Sequence, residues 1–251
     1  MLASRGWVQR CLAAFGNAAG ALIFPWECPV CGTMEGASPF CAPCRDELLD
    51  AAGDACARCA MPLGPFTDRT GGCSECRGRS LGFDGAIALG PYQGPIRHLC
   101  LRLKHEPNAW IAPWTMDVLI EARHSALASE AGDAWVAPVP LHWRRRMRRG
   151  YNQAEALASR LARRLGLRHV QPLRRVRATP PLARSGRAER ATLLRHAFQA
   201  RPNPALKGRT VLLVDDILTT GATCGAAARA LKRAGAARVV VVVIGRAGGN
   251  F

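Results

Sequence analysis

Two wholly apolar runs near the C-terminal end, Thr210 to Val214 and Val239 to Ile244, flank a helix-patterned stretch from about Ala222 to Ala234 that Gly235 closes. A strand with no polar face must be covered on both sides, and two such strands joined by a helix form a right-handed parallel crossover. The C-terminal two-thirds of the chain is therefore expected to be α/β, with a mostly parallel sheet and flanking helices. Upstream elements fit the same alternation. Gly85 to Leu89 reads as a short strand, and Ile96, Leu99, Cys100 and Leu103 share one helical face. A second helical stretch runs from about Trp114 to Ser129, and Trp135 to Val139 reads as a strand stopped by Pro138 and Pro140. An arginine-rich loop then leads to a helix with Asn152 as cap, Glu155 as its capping-box partner and Gly166 as terminator.

The segment VLLVDDILTTGAT, Val211 to Thr223, concentrates the chemistry. A buried strand ends in Asp215 and Asp216, and a turn of small hydroxylated residues opens the next helix. Ligands of such sheets bind at the carboxyl ends of the strands. A helix N-terminus made of Thr219, Thr220, Gly221, Ala222 and Thr223 offers free backbone N–H groups, hydroxyls and a positive dipole end to an anion. The carboxylates would repel a phosphate unless they face sugar hydroxyls or a metal ion, so a ribose 5-phosphate satisfies both halves. The plainer alternative is that the aspartates cap the helix and the threonines form an ordinary loop. There is no G-x-x-x-x-G-K-[ST] and no G-x-G-x-x-G, which removes the main support for nucleoside triphosphates and dinucleotides.

Eight of the 11 cysteines form four Cys-x-x-Cys doublets, Cys28/Cys31, Cys41/Cys44, Cys56/Cys59 and Cys73/Cys76. Repeated doublets at short intervals read as metal knuckles of a reducing compartment. Zn²⁺ takes four thiolates in a tetrahedron, and eight cysteines suit two ions. Sequential pairing groups Cys28, Cys31, Cys41 and Cys44, then Cys56, Cys59, Cys73 and Cys76; an interleaved pairing stays open. Cys11 and Cys100 fit core packing. Cys224 falls at a helix start, where a lowered thiol pKa is expected, without being assigned as a nucleophile.

The N-terminal stretch up to Phe24 has apolar residues at helical spacing and is expected to be a leading helix rather than an export signal. No run approaches a membrane span, and a cytoplasmic location is expected. The expected organisation is a helix over 1–24, a metal-organised region over 25–80 and an α/β domain over 81–251.

The net charge is +17, and it is localised: Arg144 to Arg201 holds 17 arginines against Glu155 and Glu189. Any polyanion partner must therefore meet that segment. One reading takes a subset of Arg144, Arg145, Arg146, Arg148 and Arg149, with Lys104 and Arg190, to an anionic ligand. Another takes the same face to a nucleic-acid backbone. A third leaves Arg160, Arg163, Arg164 and Arg168 simply solvated. His142 is expected to be a loop histidine rather than a general base.

The Val211 to Thr223 segment resembles the signature of the type I phosphoribosyltransferases. Together with the N-terminal doublets, YQGPIRHLCLRLKHE (Tyr92 to Glu106), RRGYNQAE (Arg148 to Glu155) and RVRATPPLARSGRAERATLLRHAF (Arg175 to Phe198), the chain is similar to the ComF family of competence-associated bacterial proteins. That resemblance implies a type I phosphoribosyltransferase-like domain preceded by a small double zinc ribbon. It implies binding of phosphoribosyl pyrophosphate with Mg²⁺: Asp215 and Asp216 on the ribose hydroxyls, Thr219, Thr220, Gly221, Ala222 and Thr223 on the 5-phosphate. Val139, Pro140 and Leu141 would lie near the pyrophosphate, with Arg148, Lys104 and Arg190. The implied activity is phosphoribosyl transfer to an unidentified acceptor, linked to DNA uptake or nucleotide metabolism. The alternative is a catalytically inactive adaptor for single-stranded DNA or competence-machinery proteins. Leu182 and Leu193 stand where the family pattern has glutamine and asparagine, which bears on the flexible loop rather than on the sugar-phosphate site.

Overall fold

The computed structural model describes residues 27–34, 38–65, 67–68, 71–105, 108–177, 194, 197–201 and 203–248. The expected leading helix, Arg190, Leu182 and Leu193 lie outside the described residues. The chain divides into two compact units, residues 1–47 and 48–251.

In the first unit, the Cys28 amide donates to the Thr33 carbonyl at 2.9 Å and the Gly32 amide to the Cys28 carbonyl at 2.8 Å. Glu27 and Met34 form the bridge that closes this turn. Helix α1 (Ala42–Asp50) begins within the second doublet, just after Cys41 and with Cys44 in its first turn.

The second unit is built on a five-stranded sheet of order β1-β7-β6-β2-β3, all of whose pairs are parallel. Its strands are β1 (Gly85–Pro91), β2 (Trp135–Pro138), β3 (Arg168–His169), β6 (Thr210–Leu218) and β7 (Arg238–Arg246). A separate antiparallel pair joins β4 (Leu173–Arg175) and β5 (Phe198–Ala200). The helices are α2 (Gly94–Arg102), α3 (Ile111–Ala122), α4 (His124–Ala131), α5 (Trp143–Arg149), α6 (Gln153–Leu165) and α7 (Ala222–Arg233).

Strand alternation divides the sheet's side chains between two faces. Val211, Leu213, Val239, Val241 and Val243 share one core with α7, with Leu81 and Phe83, and with Cys56, Cys59, Cys73 and Cys76. The second set of cysteines is thus part of the sheet's own core. Its backbone also reaches the sheet: the Ala86 amide on β1 donates to the Ala57 carbonyl at 3.0 Å, so the knuckle covers an edge strand that would otherwise be open.

Several expectations shift by local chemistry. The stretch from Trp114 to Ser129 is two helices, α3 and α4, because Arg123 leaves helical geometry (φ −120°, ψ 26°). Its guanidinium donates to Ala88 O at 2.8 Å, Leu89 O at 3.1 Å and Gly53 O at 2.9 Å. The expected arginine-rich loop is instead the helix α5. Between Trp143 and Arg149 there is no breaker, and arginine and methionine are good helix formers. His142 caps this helix by accepting from the Arg144 amide, and Gly150 ends it at φ 76°. Asn152 caps α6 as expected, but Glu155 accepts from Gln171 at 2.7 Å and pairs with Arg146 instead of closing a capping box.

The Arg123 fork joins the α3–α4 break to β1 and to the segment before it. Arg123→Met should lower the unfolding free energy by about 2 kcal/mol, since buried carbonyls lose charge-assisted partners. Denaturant unfolding at fixed free zinc measures it.

Candidate functional site

The four sulfurs of Cys28, Cys31, Cys41 and Cys44 lie within 4.8 Å of one another, as do those of Cys56, Cys59, Cys73 and Cys76. The pairing is the sequential one. Measured Sγ separations are 3.6 Å for Cys31–Cys41, 3.7 Å for Cys56–Cys76, 3.5 Å for Cys59–Cys73 and 3.9 Å for Cys73–Cys76. Zn–S bonds of about 2.3 Å place tetrahedral sulfurs about 3.8 Å apart, so these spacings are the edges of a ZnS₄ site. They are far too long for disulfides, whose S–S distance is about 2.05 Å. The donor sets therefore fit structural zinc, closed by four protein ligands each.

Strand β6 is the central strand, and it carries Asp215 and Asp216 near its carboxyl end. Successive strand residues point to opposite faces, and the two carboxylates accordingly meet different neighbours. Asp215 faces α7, where its Oδ1 accepts from the Asp216 amide at 2.9 Å and its Oδ2 lies 3.9 Å from the Cys224 thiol. Asp216 is buried toward α6 and α2, with its Oδ2 at 3.4 Å from Gln153 Nε2 and its carbonyl 3.7 Å from the Cys100 thiol. Burial, reinforced by the charge of Asp216, pushes the Asp215 carboxyl well above the usual aspartate range. Arg175 opposes that rise.

Thr219, Thr220 and Gly221 form the turn between β6 and α7, and Ala222 and Thr223 open the helix. Gly221 sits at φ 79°, a left-handed conformation that a side chain would strain, and Phe83 lies 3.4 Å from where its Cβ would be. Thr220 Oγ1 accepts from the Ala222 amide at 3.4 Å. Thr219 is exposed and Thr220, Gly221, Ala222 and Thr223 are half-buried, so the start of α7 is open to solvent. Cys224, one residue further, is buried. Burial and then Asp215 push its thiol pKa well up, the reverse of the lowering expected at a helix start.

The second approach to the acidic pair comes from β2. The Val139 amide donates to the Val214 carbonyl at 2.8 Å, and the Val139 carbonyl accepts from Asn152 Nδ2 at 3.3 Å. Val139, Pro140 and Leu141 therefore run beside the end of β6 before α5 begins. Tyr151 donates its hydroxyl to the Leu103 carbonyl, next to Lys104, and burial pushes its pKa up to about 12. Lys104 is half-buried just past α2.

Three residues near the site carried no distinct sequence signal. Gln153, buried at the start of α6, links Arg149 Nη1 (3.4 Å) to Asp216. Arg175, on β4, stacks over Phe198 at 5.4 Å; burial and Arg145 lower its pKa, while Asp215 raises it. Arg246, at the end of β7, donates to the carbonyls of Leu218 and Thr219, which enter the turn. Arginines assigned to solvent also take specific partners. Arg160 and Arg164 pair with Asp117, and Arg168 lies 4.9 Å over the Trp135 ring.

Residues 148–249 match the phosphoribosyl transferase domain family, and residues 19–77 match the double zinc ribbon domain. A double zinc ribbon with a type I phosphoribosyltransferase-like domain is the class that fold and site define. The relatives agree. Competence protein F of Haemophilus influenzae is 28% identical over 225 residues, spanning 82% of this chain and 96% of its own length. DNA utilization protein YhgH of Salmonella typhi is 31% identical over 193 residues, 74% of this chain and 81% of its own. Competence protein ComFC of Bacillus subtilis is 27% identical over 212 residues, 80% of each. The chain belongs to the ComF family.

An aspartate whose native pKa is raised binds its proton more tightly folded than unfolded. Stability therefore falls as pH rises from about 4, the unfolded value, through the raised native pKa. Asp215→Asn should consequently melt higher than wild type at neutral pH without ligand, with the gap narrowing as pH falls toward the ordinary aspartate range. Thermal melts across that pH series measure it.

Proposed function

We propose that this protein binds phosphoribosyl pyrophosphate with Mg²⁺ and transfers its phosphoribosyl group, in a process serving DNA uptake or utilisation. The observation that carries the reading is the juxtaposition near the end of β6: two carboxylates on opposite faces, followed after two intervening residues by an open turn at the start of a 12-residue helix. In this reading, the amides and hydroxyls of Thr219, Thr220, Gly221, Ala222 and Thr223 hold the 5-phosphate, and Asp215 and Asp216 accept from the ribose hydroxyls. Val139, Pro140 and Leu141 border the pyrophosphate, and Lys104, Arg148 and Arg190 supply positive charge. Mg²⁺, when bound, neutralises pyrophosphate charge. The chain's own contribution is positioning and stabilisation of the departing anion while the anomeric carbon becomes electron-poor. The names of the relatives, competence protein and DNA utilization protein, support placing the activity in DNA handling.

Isothermal calorimetry with phosphoribosyl pyrophosphate and Mg²⁺ tests the reading. Replacing both carboxylates, Asp215→Asn with Asp216→Asn, should weaken binding by at least about tenfold, as two charge-assisted hydrogen bonds are lost. Equal affinity in both proteins would reject it.

One observation favours single-stranded DNA as an additional ligand, or the sole one if catalysis is lost. Helix α5 leaves Trp143 57% and Met147 76% exposed, with Arg144 stacked 5.3 Å from the Trp143 ring. An exposed aromatic amid guanidinium groups is a base-stacking platform. Trp143→Ala should weaken an oligo-thymidine measured by fluorescence anisotropy at low salt, and leave phosphoribosyl pyrophosphate affinity unchanged.

A further inference from the structure

Arg246 ends β7, is only 7% exposed, and has backbone carbonyls for partners. Its Nε donates to Cys59 O at 2.8 Å, inside the second cysteine cluster. Its Nη1 donates to Thr219 O at 2.9 Å, to Leu218 O at 3.2 Å and to the Ala247 carbonyl. One guanidinium thus joins a zinc-type knuckle to the entry of the turn at the head of α7.

The consequence follows from peptide geometry. In a planar trans peptide the C=O and the next N–H point in opposite directions. Holding the carbonyls of Leu218 and Thr219 on Arg246 therefore directs the amides of Thr219 and Thr220 away from the guanidinium. The Leu218 carbonyl keeps a second donor, the Ala247 amide at 2.9 Å, so losing the anchor releases the peptide plane between Thr219 and Thr220. The segment leaving the knuckle braces the other end of the turn. Leu81 O lies 2.2 Å from where a Cβ on Gly225 would be, in the first turn of α7, and Phe83 lies against Gly221. Arg58 ties the knuckle itself together, donating to Cys76 O at 2.6 Å and to the Arg79 carbonyl.

We propose that Arg246 is a positioning residue through which zinc at Cys56, Cys59, Cys73 and Cys76 sets the conformation of the Thr219 to Gly221 turn. Ligand binding at that turn then depends on zinc in the second cluster. The part concerning ligand rests on the phosphoribosyl reading of the turn; the mechanical coupling does not.

Hydrogen exchange followed by mass spectrometry separates the two. The peptides to compare cover 54–61, in the knuckle, and 214–224, with 111–122 in α3 as reference. In Arg246→Met, and in Arg246→Lys, which keeps the charge but loses the fork, both the knuckle and turn peptides should exchange about tenfold faster while α3 is unchanged. Chelation in a Cys31→Ser/Cys44→Ser background, which leaves only the second cluster to empty, should open the turn peptide equally. It should add little in the Arg246 variants, because zinc and arginine act along one path. If Arg246→Met opens α3 as well, the chelation arm decides. A turn peptide that ignores chelation, or effects that simply add, would overturn the proposal.

Calorimetry on the same samples keeps the two readings apart. Loss of phosphoribosyl pyrophosphate binding in Arg246→Lys, together with a coupled turn, supports both. Wild type that binds no phosphoribosyl pyrophosphate but shows the coupling removes the function and leaves the coupling. Wild type that binds it, with an uncoupled turn, does the reverse.

Discussion

A parallel strand covered on both faces places polar groups where its cover ends, and β6 does so where β2 stops: pairing with β2 ends at Val214, while pairing with β7 continues to Leu218. Val211 to Val214 are buried, and polar side chains begin at Asp215. Being central, the strand presents one carboxylate to each layer. Asp215 takes its surroundings from α7, Asp216 from α6 and α2. The cost of burying the pair is written into the raised Asp215 pKa, and the turn that follows directs backbone donors to the same end of the sheet. Everything else near the site, from the Val139 to Leu141 segment to Gln153, is arranged around that one strand ending.

The arginine excess looks uniform as a charge count and is not uniform in the fold. The planar guanidinium serves as a linker of carbonyls in Arg58, Arg123 and Arg246, as a carboxylate fork in Arg160, and as a ring-stacking plate over Trp135 in Arg168. Lysine, a flexible point charge, could not replace it at these positions. Among the described residues, the solvent-facing arginines of the basic segment include Arg144 and Arg146 on α5, beside Trp143 and Met147, and Arg163, Arg174, Arg177 and Arg201 elsewhere.

The parallel sheet, the capped helix α6 and the acidic turn are legible in the sequence because each has a strong local pattern: unbroken apolar strands, Asn152 with Gly166, and small residues after paired aspartates. The four cysteine doublets are legible for the same reason, but their pairing is not, because all the gaps between them are short enough for either grouping. Nor is it legible where the knuckles dock. Spacing reports which cysteines form doublets, but the burial of Cys56, Cys59, Cys73 and Cys76 against Val239 and Val241 is a long-range event. Helix α5 is missed because consecutive arginines have no hydrophobic period to betray a helix. Gln153, Arg175 and Arg246 are missed because glutamine and arginine are unremarkable in a basic chain, and only tertiary contact singles them out.

The pairing of β1 has a consequence for the order in which the chain can be built. Among its strands, β1 hydrogen-bonds to β7, so ribosomal synthesis releases β1 some 150 residues before its partner. Its other edge meets Ala57, in a loop finished before β1 emerges. A knuckle that has already captured its ion gives the nascent strand a first backbone contact and shields it from stray pairing until the last strand arrives. The metal would then act as a chaperone in cis during translation, quite apart from what it does in the finished protein.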